Sequence, residues 1–340
     1  MSHSPIPGRS ESQQKQRAVV FVTDAGFLVP TLVAALDVCA QHAVTSAADV
    51  VVLLIDFTED VREGLSAEFT ATGMDFLCLK SAQFLPPENV FFNKTHVPRT
   101  ALGRFAIDDV LPENYLHILY LDGDVRVIGD ISPLVLHDVA PGYIAAANEY
   151  LWLCENDRGA FWQRHHAYLK NIGISNPGDY FNSGVLAFRR DTWKTMGRKT
   201  LEYFNRHADI CLYHDQSALN AVFNGRREIL PLSYNFGTKY ADLGLENTVK
   251  PRIIHFTGGC KPWFFSGEPW NGRFIQDYKS LLLKHPFLKA YWKVPSAADL
   301  SAMVATDKRM RRRSALLTPW RTTVKKARFR RYQEATPFQV

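Results

Sequence analysis

Hydrophobic residues in the first third of the chain fall into short runs separated by stretches of helical period. Val19-Val20-Phe21-Val22-Thr23 is β-branched and aromatic and stops at Asp24. Pro30 then suits the first residue of a helix through Leu32, Ala35, Leu36 and Cys39. Residues 50–55 are apolar without a break, as in a strand covered on both faces. The pattern next predicts a helix over 60–69, a strand over 76–79, a helix over 101–110 and a strand over 117–121. This alternation predicts an α/β fold with a mostly parallel central sheet and helices on both faces. Ligands bind beyond the carboxyl ends of such strands. Asp24 stands there after the first strand, and Asp122 and Asp124 after the fourth. The second half is less regular. It suggests a strand over 181–188, helices over 191–205 and 215–223 (the latter capped by Asp215), and a strand over 252–256 running into Thr257-Gly258-Gly259.

Composition refines this picture at the two ends. At 340 residues and 46% apolar content the chain can bury a substantial core. Residues 1–17 are polar and read as a disordered leader, without the apolar stretch of a signal peptide. The longest aliphatic run, 50–55, is far too short to cross a bilayer. Five scattered cysteines with no C-x-x-C pair argue for reduced thiols in the cytoplasm. The net charge of +6 is not spread evenly: residues 301–340 carry eleven Lys or Arg against Asp307 and Glu334, so the body before them is slightly acidic. We place the folded domain at 18–296 and a basic, aromatic tail at 297–340.

Asp122-Gly123-Asp124 is the strongest local chemical signal. Two carboxylates one residue apart at a strand end point roughly the same way if the chain stays extended. Gly123 adds no bulk, so a phosphate-bound cation could approach. Oxygen ligands suit Mg²⁺ or Mn²⁺ completed by substrate phosphates. The same letters also fit the nucleophile loop of haloacid-dehalogenase-type phosphatases, with Asp122 as nucleophile and Asp124 as acid/base. That class needs a later acidic pair, and Gly178-Asp179 is followed instead by Phe181-Asn182-Ser183. A calcium loop fails because Arg126 and Val127 occupy ligand and glycine positions. A non-catalytic sugar-nucleotide binder is the third reading.

Taken together, Phe21-Val22-Thr23-Asp24, Ala101-Leu102-Gly103-Arg104-Phe105, the stretch from Ile118 to Asp124, Tyr180-Phe181-Asn182-Ser183-Gly184-Val185, His214-Asp215-Gln216 and the stretch from His255 to Trp263 resemble the retaining glycosyltransferases of family 8. That family groups bacterial lipopolysaccharide galactosyl- and glucosyltransferases with glycogenin, and the resemblance runs from about Val19 to Trp263. It implies a GT-A-type nucleotide-sugar-binding fold and hexose transfer from a UDP-sugar of the UDP-glucose or UDP-galactose type. The acceptor would be a glycan or lipid-linked oligosaccharide. Asp122, Asp124 and His255 would ligate the metal, usually Mn²⁺, with Mg²⁺ the alternative.

The resemblance also distributes the other roles. Gly123, Gly258 and Lys261 would meet the diphosphate, Lys261 as a point charge and the glycine backbone by close approach. Asp24 would accept a hydrogen bond from the base, although an Asp after a strand can equally cap a helix. His96 and Arg104 match positions facing the nucleotide and donor sugar. Asn182, Asp215 and Gln216 would hold the sugar hydroxyls, with Gln216 nearest the anomeric carbon and Asp215 beside it; N-terminal helix capping is the bland alternative for the last two. The family's usual Asn two positions after the first Asp is Gly26 here, and the aromatic or Tyr that follows is Phe27, so a ribose contact is in question. Residues 148–179 carry Trp152, Trp162, His165, His166 and Tyr168, which suit either acceptor stacking or a core. Finally, the basic residues of 308–331 are interleaved with Leu316, Leu317, Trp320, Phe329 and Tyr332. That pattern suits docking on the anionic inner face of the cytoplasmic membrane. A solvated tail, nucleic acid or another acidic partner remain as alternatives.

Overall fold

The computed structural model describes residues 15–85, 99–155, 159–317 and 319–335. Most of the expected leader, His96 and the last five residues lie outside them. The strands are β1 Arg17–Thr23, β2 Asp49–Ile55, β3 Met74–Leu79, β4 His117–Leu121, β5 Val125–Val127, β6 Ile144–Asn148, β7 Phe181–Arg189, β8 Arg227–Leu230, β9 Phe236–Gly237 and β10 Ile253–His255. Seven form one sheet in the order β3-β2-β1-β4-β7-β6-β8. β1 to β4 run parallel, β7 is antiparallel to both its neighbours, and β8 is parallel to β6. The GT-A-type arrangement, mostly parallel with helices around it, is therefore present.

The unbroken apolar run in β2 is explained by its two neighbours. Val50, Val52 and Leu54 face one core with the helix Leu28–Cys39, while Val51, Leu53 and Ile55 face another with Trp193 and Phe204. Residues of β1 divide in the same alternating way, as the period of a strand requires. The first helix begins at Leu28, two residues before Pro30, whose missing N–H costs nothing within the first turn. The stretch predicted as a helix over 101–110 is wound tightly as a 3₁₀ helix over Arg99–Ala106 and turns α-helical only at Ile107–Val110. Side chains three apart align in that winding, which sets Leu102 and Phe105 together against the second core.

The two ends of the chain differ from expectation. Lys15 pairs with Asp49 at 3.0 Å, and Arg17 already opens β1, so the last residues of the expected leader belong to the sheet. Beyond residue 296, two helices, Ala297–Leu317 and Pro319–Ala335, replace an open tail. The reason is the apolar residue at 329: Phe329 is fully buried beside Trp152, with ring centroids 6.4 Å apart. It is therefore not available to a membrane. Trp152, Trp162 and Tyr168 are likewise buried in cores, leaving packing as their role. No helix among the described residues is long and apolar enough to cross a membrane.

Candidate active site

β4 ends in Asp122-Gly123-Asp124, and a second, three-stranded sheet (β5-β10-β9) delivers His255 opposite them. Backbone bonds seal the junction: Asp122 N–H donates to Gly184 O (2.8 Å) and Phe256 N–H to Asp124 O (2.9 Å). One donor atom from each of Asp122, Asp124 and His255 lies within 4.8 Å of the others. His255 Nε2 is 3.3 Å from Asp124 Oδ1 and 3.7 Å from Asp122 Oδ2. Lys261 Nζ donates to Asp124 Oδ2 (2.5 Å) and Phe256 O (2.6 Å). Burial disfavours charge on Asp124, but Lys261 and His255 outweigh it and hold the carboxyl below its ordinary range. Burial lowers the His255 pKa, and the two aspartates reverse this to a net rise.

Hydrogen-bond logic fixes the histidine tautomer. The Gly184 amide can only donate, so the Asn182 atom 2.9 Å from it is the acceptor Oδ1. Asn235 Nδ2 must therefore donate to that same Oδ1 (2.9 Å), which turns Asn235 Oδ1 towards His255 Nδ1 (2.9 Å). Nδ1 then carries a proton, and Nε2 is the nitrogen turned to the carboxylates, the one that would ligate a metal, as metal-ligating histidines are commonly held. Two hard oxygens and one oriented imidazole fit a divalent ion of Mn²⁺ or Mg²⁺ type.

The two glycines of this region have different tasks. A Cβ on Gly123 would stand 2.1 Å from Thr31 Oγ1 of the first helix, so Gly123 is dictated by packing behind the loop, not by clearance for a cation. Clearance belongs to Gly184, where a Cβ would meet His255 Cε1 at 2.2 Å and Asp122 Oδ2 at 2.9 Å. Gly258 (φ +90°) and Gly259 face open space, with no atom within 4 Å of either Cβ position.

Arg104 joins this charged cluster to Asp215. It is 4% exposed, donates to Ser183 O (2.7 Å) and Asp122 Oδ1 (2.9 Å), and lies 3.3 Å from Asp215 Oδ2. Tyr120, under its guanidinium, donates a second bond to Asp122 Oδ1 at 2.5 Å. Burial raises the Asp215 carboxyl pKa, Arg104 opposes that shift, and the net direction is upward. Gln216 Oε1 accepts from Ser183 N–H (3.1 Å) and Asn182 Nδ2 (3.2 Å). Its Nε2 donates to Glu149 Oε2 (3.3 Å) and to the Tyr180 hydroxyl (3.1 Å). The helix His214–Val222 has no side-chain bond from its N-cap residue, Tyr213, and Asp215 and Gln216 follow in its first turn. His214, buried with φ +45°, makes the sharp turn that aims both residues inward.

After β1, Asp24 Oδ1 accepts from the amides of Gly26 (2.8 Å) and Phe27 (3.1 Å), and its Oδ2 from Thr100 (2.7 Å). It thus serves as a turn cap here. Lys293 lies across Gly26: its Nζ is 3.5 Å from where a Cβ would stand. The sequence also hid Glu149 and Asn235. Neither sits in a motif, and each acts through a distant contact, Glu149 with Gln216 and Asn235 with His255. Tyr180 opens the stretch to Val185 already noted, and its bond with Gln216 adds a role that the stretch does not assign.

Three kinds of likeness bear on this site. Residues 18–267 match glycosyl transferase family 8. General stress protein A of Bacillus subtilis is 31% identical over 187 residues, half of this chain and 60% of that protein. Glycosyltransferase GlyE of Streptococcus pneumoniae is 26% identical over 84% of this chain and 67% of its own length. Lipopolysaccharide 1,2-glucosyltransferase of Escherichia coli is 28% identical over 56% of this chain and 55% of its own. The chain thus spans about half to two thirds of the curated relatives it matches. Among solved structures, the galactosyltransferase LgtC bound to donor and acceptor sugar analogs superposes with a TM-score of 0.62 at 24% identity, covering 77% of this chain and 95% of that one. With residues 18–267 matched and the fold shared, this chain belongs to glycosyl transferase family 8.

Proposed function

We propose that the chain is a retaining hexosyltransferase that takes a hexose from a UDP-sugar, of the UDP-glucose or UDP-galactose type, and passes it to a glycan or lipid-linked oligosaccharide. The observation that carries this reading is the adjacency of two unlike half-sites. Asp122, Asp124 and His255 lie within 4.8 Å of one another, and Arg104 links Asp122 directly to Asp215 beside Gln216. A Mn²⁺ ion held by the first three residues would lend Lewis-acid charge to a leaving diphosphate.

The remaining roles belong to the chain's own groups. Lys261 supplies a positive charge, and the unobstructed Gly258-Gly259 backbone lets phosphate oxygens come close. Gln216 is held by four neighbours with its amide orientation fixed. An amide is a poor nucleophile, which favours front-face transfer: the departing phosphate oxygen takes the acceptor's proton while the Gln216 wall stabilises oxocarbenium-like charge. Asn182 and Asp215 orient the sugar hydroxyls. A donor screen reading UDP release with added Mn²⁺ tests the assignment. Turnover should fall by more than about 100-fold in Asp124→Ala. Release of phosphate from simple phosphoesters would favour the phosphatase reading instead, and tight UDP binding without turnover a mere binder.

The second part of the proposal concerns location. Lys308, Arg309, Arg312, Arg330 and Arg331 are exposed on the tail helices, and Trp320 is 61% exposed among them. Each such cation contributes about 1 kcal/mol at an anionic leaflet. This supports peripheral binding at the inner face of the cytoplasmic membrane. The protein should sediment with anionic vesicles and stay in solution with neutral ones; equal behaviour in both removes the idea.

A further inference from the structure

The second tail helix, Pro319–Ala335, turns one face inward. Lys325, Arg328 and Phe329 lie at i, i+3 and i+4 and so share one stripe. All three grip the same short 3₁₀ turn, Tyr150–Cys154. Lys325 Nζ donates to the Tyr150 hydroxyl (2.9 Å), lies 3.2 Å from Cys154 Sγ, and sits 5.0 Å from the centre of the Tyr150 ring. Arg328 Nη1 donates to Leu153 O (2.9 Å). Phe329, with no exposure, packs on Trp152. From the other side, Trp152 Nε1 donates to the Tyr240 hydroxyl (3.1 Å), which itself donates to Asn148 O (3.0 Å). The turn is pinned along its whole length.

Glu149 is the residue that leads into this turn. Its Oε1 accepts from the Tyr150 amide (2.8 Å), so the carboxylate is tied to the turn's first peptide. Its Oε2 accepts from Asn182 Nδ2 (2.8 Å) and Gln216 Nε2 (3.3 Å). A carboxylate only accepts, so it helps dictate which end of the Gln216 amide faces the cleft. A shift of the turn moves Glu149, and a shift of Glu149 frees the amide to rotate.

We infer that the inward face of the second tail helix is a positioning element of the catalytic site, acting through the Tyr150–Cys154 turn and Glu149 on the amide of Gln216. The inference rests on the reading of Gln216 as the group facing the anomeric carbon. It gives the basic tail two separate faces: an outer one, available to a membrane, and an inner one that holds the sugar end of the cleft in register. Glu149, Lys325, Arg328 and Phe329 are positioning residues and touch no substrate.

The test uses the full-length protein in solution, without vesicles or acceptor, with Phe329→Ala and, independently, Lys325→Met. Two readouts are taken: hydrogen exchange across residues 149–155, and the kcat and KM of Mn²⁺-dependent UDP release. The clamp predicts at least about 10-fold faster exchange in that segment and about 10-fold lower kcat, with UDP affinity within about twofold. Phe329→Leu, which refills the cavity, should recover most of the loss. Glu149→Gln combined with Phe329→Ala should cost little more than either alone, because both act on one contact chain. Unchanged exchange and unchanged kcat in both variants would overturn the inference and leave the tail as a surface attachment. If the wild-type chain releases no UDP from any donor, the functional reading fails, while the exchange measurement still decides whether the tail holds the turn.

Discussion

The two ends of the cleft are organised on opposite principles. The charged end, proposed to meet the diphosphate, links opposed charges in series: Arg104 pairs with Asp122, His255 lies beside Asp122 and Asp124, and Lys261 pairs with Asp124. Lys261 and Arg104 neutralise carboxylates that would otherwise repel across a poorly hydrated gap. The other end, proposed to hold the sugar, is built mostly from neutral groups. Asn182, Gln216, Tyr180, Tyr168 and Ser217 form a hydrogen-bonded chain in contact with the Glu149 carboxylate. Charged pairs act at a few ångströms and tolerate small shifts. An amide network works only at bonding distance, so it needs rigid support from behind. That difference explains why the sugar end leans on a distant helix and the charged end does not.

The comparison breaks most sharply at Gly184, which touches both ends. Its amide orients Asn182, and its missing side chain leaves room for His255. In Gly184→Ala the new methyl would stand 2.6 Å from His255 Nδ1 and 2.2 Å from Cε1, with backbone on one side and a buried ring on the other. The imidazole must tilt away from the aspartates. Overpacking of this kind costs about 1–3 kcal/mol of stability. We expect Mn²⁺ affinity by calorimetry to fall by on the order of 100-fold or more, as when a ligand loses its orientation. Retained metal affinity together with lost turnover would show instead that Gly184 serves the sugar end alone.

The same contrast decides what could be read from sequence. The diphosphate end was legible because strand-end carboxylates and a glycine turn are local: Asp122, Asp124 and the segment from His255 to Lys261 each sit in one short stretch, and the structure brings them together. The apolar run of β2 announced a two-sided sheet for the same reason. Glu149 and Asn235 were not legible, since each is bonded to Asn182 from 33 residues or more away and neither sits in a motif. The packing that requires Gly123 is not visible in local pattern, because Thr31 comes from the helix behind it. The tail's inward face is not marked in the sequence, because charge dominates its composition. One buried phenylalanine among eleven cations is enough to dock a helix, and no periodicity marks it.

A weaker perturbation probes the sugar end without touching it. The Tyr168 hydroxyl lies 2.8 Å from that of Tyr180 and 2.7 Å from Ser217 Oγ, and Ser217 Oγ in turn accepts from the Tyr213 amide (2.8 Å). The ring is 6% exposed, so Tyr168→Phe removes one oxygen and leaves the packing intact. Two buried hydroxyls then each lack a partner, a loss of about 1–2 kcal/mol. Tyr180 keeps its bond from Gln216, and Gln216 keeps Glu149 and Ser183. The expected result is a lower midpoint in urea unfolding with turnover changed by less than about threefold. If turnover instead falls as far as stability would suggest for a direct ligand, orientation of Gln216 depends on the tyrosine pair more than on Glu149, and the support of the amide lies behind β7 and not in the turn that the tail helix holds.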